Sequence, residues 1–199
     1  MDIAHKIFIS KSQILSAWDI YTKERTVLLW SGGRDSTALL YILKQMTNSK
    51  ELRVLFTDSG YEFPEVYQFI DVLARKWKIR LLKRQFLSTS TRELVNSNAA
   101  QKILIRSFQN DLFKMMRGFQ EAENCQIFLS GTRWYEHFHR STSYNESLRD
   151  VNFSYPILHW TEKDIVSFTK TERIPVLSLY SQGYKHLENT LFSSRNEKK

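Results

Sequence analysis

The chain predicts an α/β fold: a doubly wound, mainly parallel five-stranded sheet flanked by helices. Apolar runs too uniform for a wet face alternate with segments whose apolar residues recur at helical spacing. Strands that alternate with helices imply parallel βαβ units. With 199 residues, 42% of them hydrophobic, the chain can build one sizeable core. One domain over residues 1–199 is expected, with a polar C-terminal tail from about 190 that frays.

Taken in order, Ser10 is placed to cap a first helix whose apolar stripe is Ile14, Leu15, Trp18 and Tyr21. "TVLLW" reads as a buried strand, and Leu39, Leu40, Leu43 and Met46 mark the helix after it. "LRVLFT" is a second strand. Pro64 opens a helix to about Lys76, with Val66, Phe69, Ile70 and Leu73 facing inward. "IRLLKR" is the third strand.

The polar stretch 88–98 loses periodicity and predicts a mobile loop or lid. A long helix from Ala99 to about Glu121 carries Ile103, Leu104, Phe108, Leu112, Phe113, Met116 and Phe119. "CQIFLS" and "FSYPIL" are strands four and five, with a polar, basic segment from Arg133 to Asn152 between them. Thr161 and Asp164 signal the cap of a last helix, Glu162 to Thr171.

Composition narrows the function. No apolar run reaches the ~20 residues of a membrane span. The N-terminus lacks a signal-peptide pattern, so a cytoplasmic protein is expected. A single cysteine, Cys125, excludes an intramolecular disulfide and an all-cysteine metal or iron–sulfur site within one chain. The net charge is +8. Arg75, Lys76, Lys78, Arg80, Lys83, Arg84 and Arg92 fall in a stretch, 75–92, that holds no acid. Such a stretch is either a solvated helix and strand end or a surface for DNA, RNA or a phosphate-rich nucleotide.

The chemistry should follow the strands, because doubly wound sheets bind ligands at the strands' carboxyl ends. After the first comes Ser31-Gly32-Gly33-Arg34-Asp35-Ser36. Paired glycines let backbone amides approach an anion, the two serines add hydroxyls, and the next helix presents free N–H groups. This is a phosphate cradle, with neither the Walker spacing nor the G-x-G-x-x-G pattern.

This loop resembles the PP-loop, S-G-G-x-D-S, of ATP pyrophosphatases, which split ATP between the α and β phosphates. Most members carry Lys where this chain has Arg34, a change that keeps the charge and alters the hydrogen-bonding shape. "TDSGYEFPE", from Thr57, is similar to the signature of the branch that contains the phosphoadenosine phosphosulfate (PAPS) reductases. "SGTRWYEHFHR" resembles the same family's arginine element, with Arg133, Glu136 and Arg140 over the nucleotide phosphates. Two histidines there, His137 and His139, fit phosphate contact or surface groups better than zinc. The block from Pro156 to Tyr184 is similar to the family's C-terminal block, in which Tyr180, Gly183 and Tyr184 shape the acceptor side. The resemblance covers about Thr26 to Tyr184.

It implies a single PP-loop nucleotide-binding domain of the adenine nucleotide α-hydrolase type that binds ATP and Mg²⁺. Ser31, Gly32, Gly33, Arg34, Asp35, Ser36, Thr57, Gly60 and Gly131 would hold the nucleotide. Asp35 and Asp58 would contact Mg²⁺, and Asp35, Asp58, Arg133 and Arg140 would carry the chemistry, in which pyrophosphate leaves.

Reductases of this family use a cysteine near the C-terminus, and some relatives bind an iron–sulfur cluster. Here "GYKHLENT" stands at that place, so no cluster is expected, and Cys125 reads as a core residue. The expected activity is therefore adenylation of an acceptor for sulfur incorporation into nucleic acid, as in DNA phosphorothioation, with a cysteine desulfurase as sulfur-donor partner. The alternatives are a sulfonucleotide enzyme, an FMN adenylyltransferase like the FAD synthases, and a degenerate nucleotide-binding subunit. The intact S-G-G-x-D-S and Asp58 argue against the last.

Overall fold

A computed structural model describes residues 1–135, 151–184 and 189–193. Five strands, β1 (Thr26–Leu29), β2 (Arg53–Asp58), β3 (Arg80–Gln85), β4 (Ile127–Leu129) and β5 (Phe153–Ser154), form one sheet in the order β3-β2-β1-β4-β5. Every pairing is parallel. The described helices are α1 (Ile3–Tyr21), α2 (Arg34–Met46), α3 (Pro64–Lys76), α4 (Thr89–Asn96), α5 (Gln101–Ala122) and α6 (Glu162–Thr171).

The chain steps outward from β1 to β3, then returns to β4 on the other side of β1. That reversal puts the switch point between β1 and β4, where α/β sheets open a crevice at their carboxyl ends. Alternation along the strands feeds two cores. Leu28, Val54, Phe56 and Leu129 pack with α1, α2, α3 and α6, while Val27, Leu55 and Phe128 pack with Met116 and Phe119 of α5. Leu39, Leu40, Ile42 and Leu43 of α2 are all buried, each side chain contributing about 1.5–3 kcal/mol. This anchors the helix whose N-terminus faces the crevice.

The predicted helix bounded by Pro64 and Lys76 has those bounds in the structure. So does Glu162–Thr171, capped reciprocally by Thr161 and Asp164. Several local expectations are overturned. Asp2, not Ser10, caps α1: its side chain accepts from the His5 amide. Ser10 lies mid-helix and fully buried, donating to the Lys6 carbonyl and accepting from the Trp160 indole N–H at 3.0 Å. Its hydroxyl serves a tertiary contact, which local sequence does not disclose. Leu15, expected in the stripe, is half exposed.

The stretch 88–98 is a helix rather than a loop. Ser88 caps α4 by accepting from the Thr91 amide, and its own amide and hydroxyl donate to Asp111 of α5 at 2.9 and 2.8 Å. Thr91 is buried. In the long helix α5, Ile103 is half exposed. The tail is pinned at its start. Asn189 is buried, and the Thr190 amide and hydroxyl both donate to the Tyr61 carbonyl, at 2.8 and 2.7 Å. Residues 194–199 of the tail expected to fray lie outside the described residues.

Candidate nucleotide site

Three loops converge at the carboxyl ends of β1, β2 and β4. In the first, Gly32 has φ +79°, a conformation that favours glycine, and a Cβ there would stand 3.3 Å from Ile70. Gly33 is the N-cap of α2. The Ser31 and Ser36 hydroxyls lie 3.1 Å apart, and Ser36 donates to the Gly33 carbonyl. Trp30 and Thr37 lock the loop from beneath: the indole donates to Thr37 Oγ1, which donates to the Gly33 carbonyl at 2.8 Å. The amides of the first turn of α2 have no carbonyl one turn earlier, so the helix end offers donors and a positive dipole end.

The loop after β4 presses on this turn. A Cβ on Gly131 would lie 2.8 Å from both the amide nitrogen and Cα of Ser36. Two residues on, Arg133 Nε donates to Asp35 Oδ2 at 3.1 Å. One ion pair thus bridges the switch point.

The loop after β2 is built on Asp58. Its Oδ1 accepts from the Gly60 amide at 2.7 Å and the Tyr67 hydroxyl at 2.6 Å. Burial, with the Asp58 carboxylate beside it, pushes the Tyr67 phenol above its ordinary value, so it stays a proton donor. Gly60 has φ +79°, and a Cβ there would meet the Arg92 guanidinium at 3.2 Å. Thr57 is the penultimate residue of β2. Above the first loop, the Tyr180 hydroxyl accepts from the Arg34 amide at 2.9 Å, and the Arg34 guanidinium lies over the Tyr180 ring at 4.1 Å from its centre.

Residues 25–189 match the phosphoadenosine phosphosulfate reductase domain. The chain belongs to that family. Among PAPS reductases, that of Xylella fastidiosa strain M12 is 27% identical over 169 residues, 82% of this chain and 70% of that protein. That of Photobacterium profundum is 26% identical over 80% of this chain and 64% of that protein. A crystal structure of PAPS reductase from Candida auris, a phosphate complex, matches with a TM-score of 0.65 and 15% identity over 98% of both chains. Yeast FAD synthetase in complex with FAD matches with a TM-score of 0.73 and 17% identity, over 98% of this chain and 67% of that one. At such identities the structural likeness concerns the fold.

Within this PAPS reductase fold, Ser31 to Ser36 and Gly131 meet across the switch point, while Asp58 and Gly60 stand on the neighbouring strand's loop. Arg140, Glu136, His137 and His139 lie outside the described residues. The basic stretch is split. Arg75 and Lys76 end α3, Lys78 follows, and Arg80 starts β3, all at the amino end of the strands, away from the loops. Lys83 pairs with Asp71 and Arg84 with Glu123, on an edge strand whose charges also discourage pairing with other sheets. Arg92 differs: its guanidinium stands beside the loop after β2, 3.2 Å from where a Cβ on Gly60 would lie.

Tyr67, Thr37 and Arg92 escape a linear reading: Thr37 and Tyr67 meet Gly33 and Asp58 only through the shape of the folded turns, and Arg92 approaches Gly60 from α4. Tyr67 left one signal: it lies on the first turn of the helix that Asp58's own loop opens. Cys125 is buried and precedes β4, at the strands' amino end, and burial pushes its thiol up to about 12. Among the described residues, no three His, Cys, Asp or Glu side chains group to hold a metal, and no helix is long and apolar enough to cross a membrane. Asp35 and Asp58 still suit Mg²⁺, which takes oxygen donors and typically one or two carboxylates beside substrate phosphates and waters.

Proposed function

We propose that the chain binds ATP with Mg²⁺ over Ser31–Ser36 and transfers the adenylyl group to an acceptor oxygen. The observation that carries this reading is the bridged crevice itself: glycine-lined amides at the start of α2, held against the β4 loop by Arg133 and Asp35. The acceptor oxygen attacks the α-phosphorus in line, the bond from that phosphorus to the bridging oxygen breaks, and pyrophosphate leaves with the electron pair. The amides of Gly32 and Gly33, with Ser31 and Ser36, hold the departing group, and the Arg133 and Arg140 guanidiniums stabilise its charge. Asp35 and Asp58 would hold Mg²⁺, which when bound neutralises phosphate charge. Thr57, Gly60 and Gly131 line the nucleotide.

The acceptor we favour is nucleic acid, adenylated before attack by sulfur from a partner desulfurase. The net charge of +8 supports a polyanionic substrate, and Arg92 supplies a cation at the site. The chain's one thiol is buried at the far end of the sheet, so it is not available as a nucleophile. Sulfonucleotide chemistry is the second reading, favoured by the family match and by relatives named PAPS reductases.

Incubation with α-labelled ATP and, separately, DNA, RNA, FMN or PAPS discriminates among these. Label transferred to nucleic acid is the expected result. Label on FMN alone, or consumption of PAPS without use of ATP, overturns it.

A further inference from the structure

Tyr180 stands where the proposed phosphate cradle would receive its ligand. Its hydroxyl accepts from the Arg34 amide at 2.9 Å and lies 3.6 Å from where a Gly33 Cβ would be. Its ring supports the Arg34 guanidinium at 4.1 Å. The residue belongs to the 3₁₀ turn Ser178–Gln182, which ends at Gly183 with φ +94°. Tyr184 then packs edge-on against Phe63, 5.2 Å between ring centres, at the start of α3.

One N–H cannot donate fully to a phenol oxygen and a phosphate oxygen placed at the same point. We propose that Tyr180 is an internal stand-in for the phosphate group. Its hydroxyl competes with the ligand for the Arg34 amide, while its ring supports the guanidinium, whose in-plane N–H groups stay available. Tyr180 is thus a positioning residue that sets how much phosphate affinity the loop releases. The inference rests on the cradle proposed above, and it adds a sign that a merely structural tyrosine would not give.

The test compares wild type with Tyr180→Phe, which keeps the ring and removes the hydroxyl, by calorimetric titration of inorganic pyrophosphate and of ATP. Loss of one competing neutral hydrogen bond corresponds to about fivefold tighter pyrophosphate binding. Unchanged or weaker binding by Tyr180→Phe overturns the stand-in role while leaving the cradle intact. If wild type and Tyr180→Phe both bind neither ligand, the cradle and the stand-in fall together. Amide hydrogen exchange at Arg34 gives a readout independent of affinity. Without added ligand it should be faster in Tyr180→Phe, and equal rates in the two proteins count against the role.

Discussion

Arg133 Nε lies 3.1 Å from Asp35 Oδ2, and this pair ties the loop after β4 to the first turn of α2. The carboxylate at a helix N-terminus and the guanidinium after the neighbouring strand β4 form an ion-paired bridge over the crevice. Arg133→Ala should therefore lower pyrophosphate release about 10²–10³-fold, the usual cost of removing a donor aimed at developing charge. Asp35→Ala should do at least as much. Intact release of labelled pyrophosphate by Asp35→Ala would falsify the assigned site.

Gly131 tests the same bridge by steric means. A methyl group placed 2.8 Å from backbone atoms of Ser36 cannot be absorbed by a rotamer change. Gly131→Ala should cost about 1–3 kcal/mol of stability and weaken ATP binding at least tenfold. Thermal melts and ATP titration report the two effects. Wild-type behaviour in both would mean that the two loops separate freely.

Arg80 starts β3 at the strands' amino end, whereas Arg92, on α4, stands beside Gly60 in the loop after β2, so the two should behave differently. In the nucleic-acid reading, Arg92→Ala weakens binding to single-stranded DNA and flattens the plot of log affinity against log salt by about 0.7. Arg80→Ala should leave pyrophosphate release untouched, because that side chain is at the strands' amino end. An unaltered salt slope in Arg92→Ala removes it from nucleic-acid contact.

Cys125 should be chemically silent. With its thiol held up to about 12 by burial, almost none is thiolate at neutral pH. Iodoacetamide should label it only after denaturation, and Cys125→Ala should keep its ATP-dependent activity within about twofold. A large loss of that activity, with the fold intact by circular dichroism, would point back to thiol chemistry.

Asp164 links stability to acid. Burial pushes its carboxyl up, but hydrogen bonds from Lys6 and Thr161 outweigh burial and bring it down to about 2. A carboxyl depressed in the folded state stabilises above its unfolded value of 3.8 and loses that contribution as pH falls towards 2. The melting temperature should drop more steeply between pH 4 and 2 in wild type than in Asp164→Asn. Parallel curves would show that the Lys6–Asp164 pair is energetically idle.

The strand-to-helix turns of the site were legible in the linear chain, because their requirements are local. Two adjacent glycines, an acid at the first helical turn and a proline at N1 state their conformations within a few residues. The uniform apolar runs likewise announced a parallel sheet, since only doubly covered strands can be so apolar. Tertiary structure alone decided the rest. Ser10 became a buried partner of Trp160 rather than a cap, and Ser88 became a cap because Asp111 of α5 was there to hold it. Arg133 met Asp35, and Tyr180 met Arg34, across 98 and 146 residues of chain. Thr190, which in the chain only stood near the place of a cysteine, turned out to fasten the loop after β2 through Tyr61. The seven bases that look continuous in sequence divide between two ends of the sheet, because α3 and β3 each carry the chain the full height of the fold. Contacts of that kind depend on which surfaces the sheet brings together, and no local propensity encodes them.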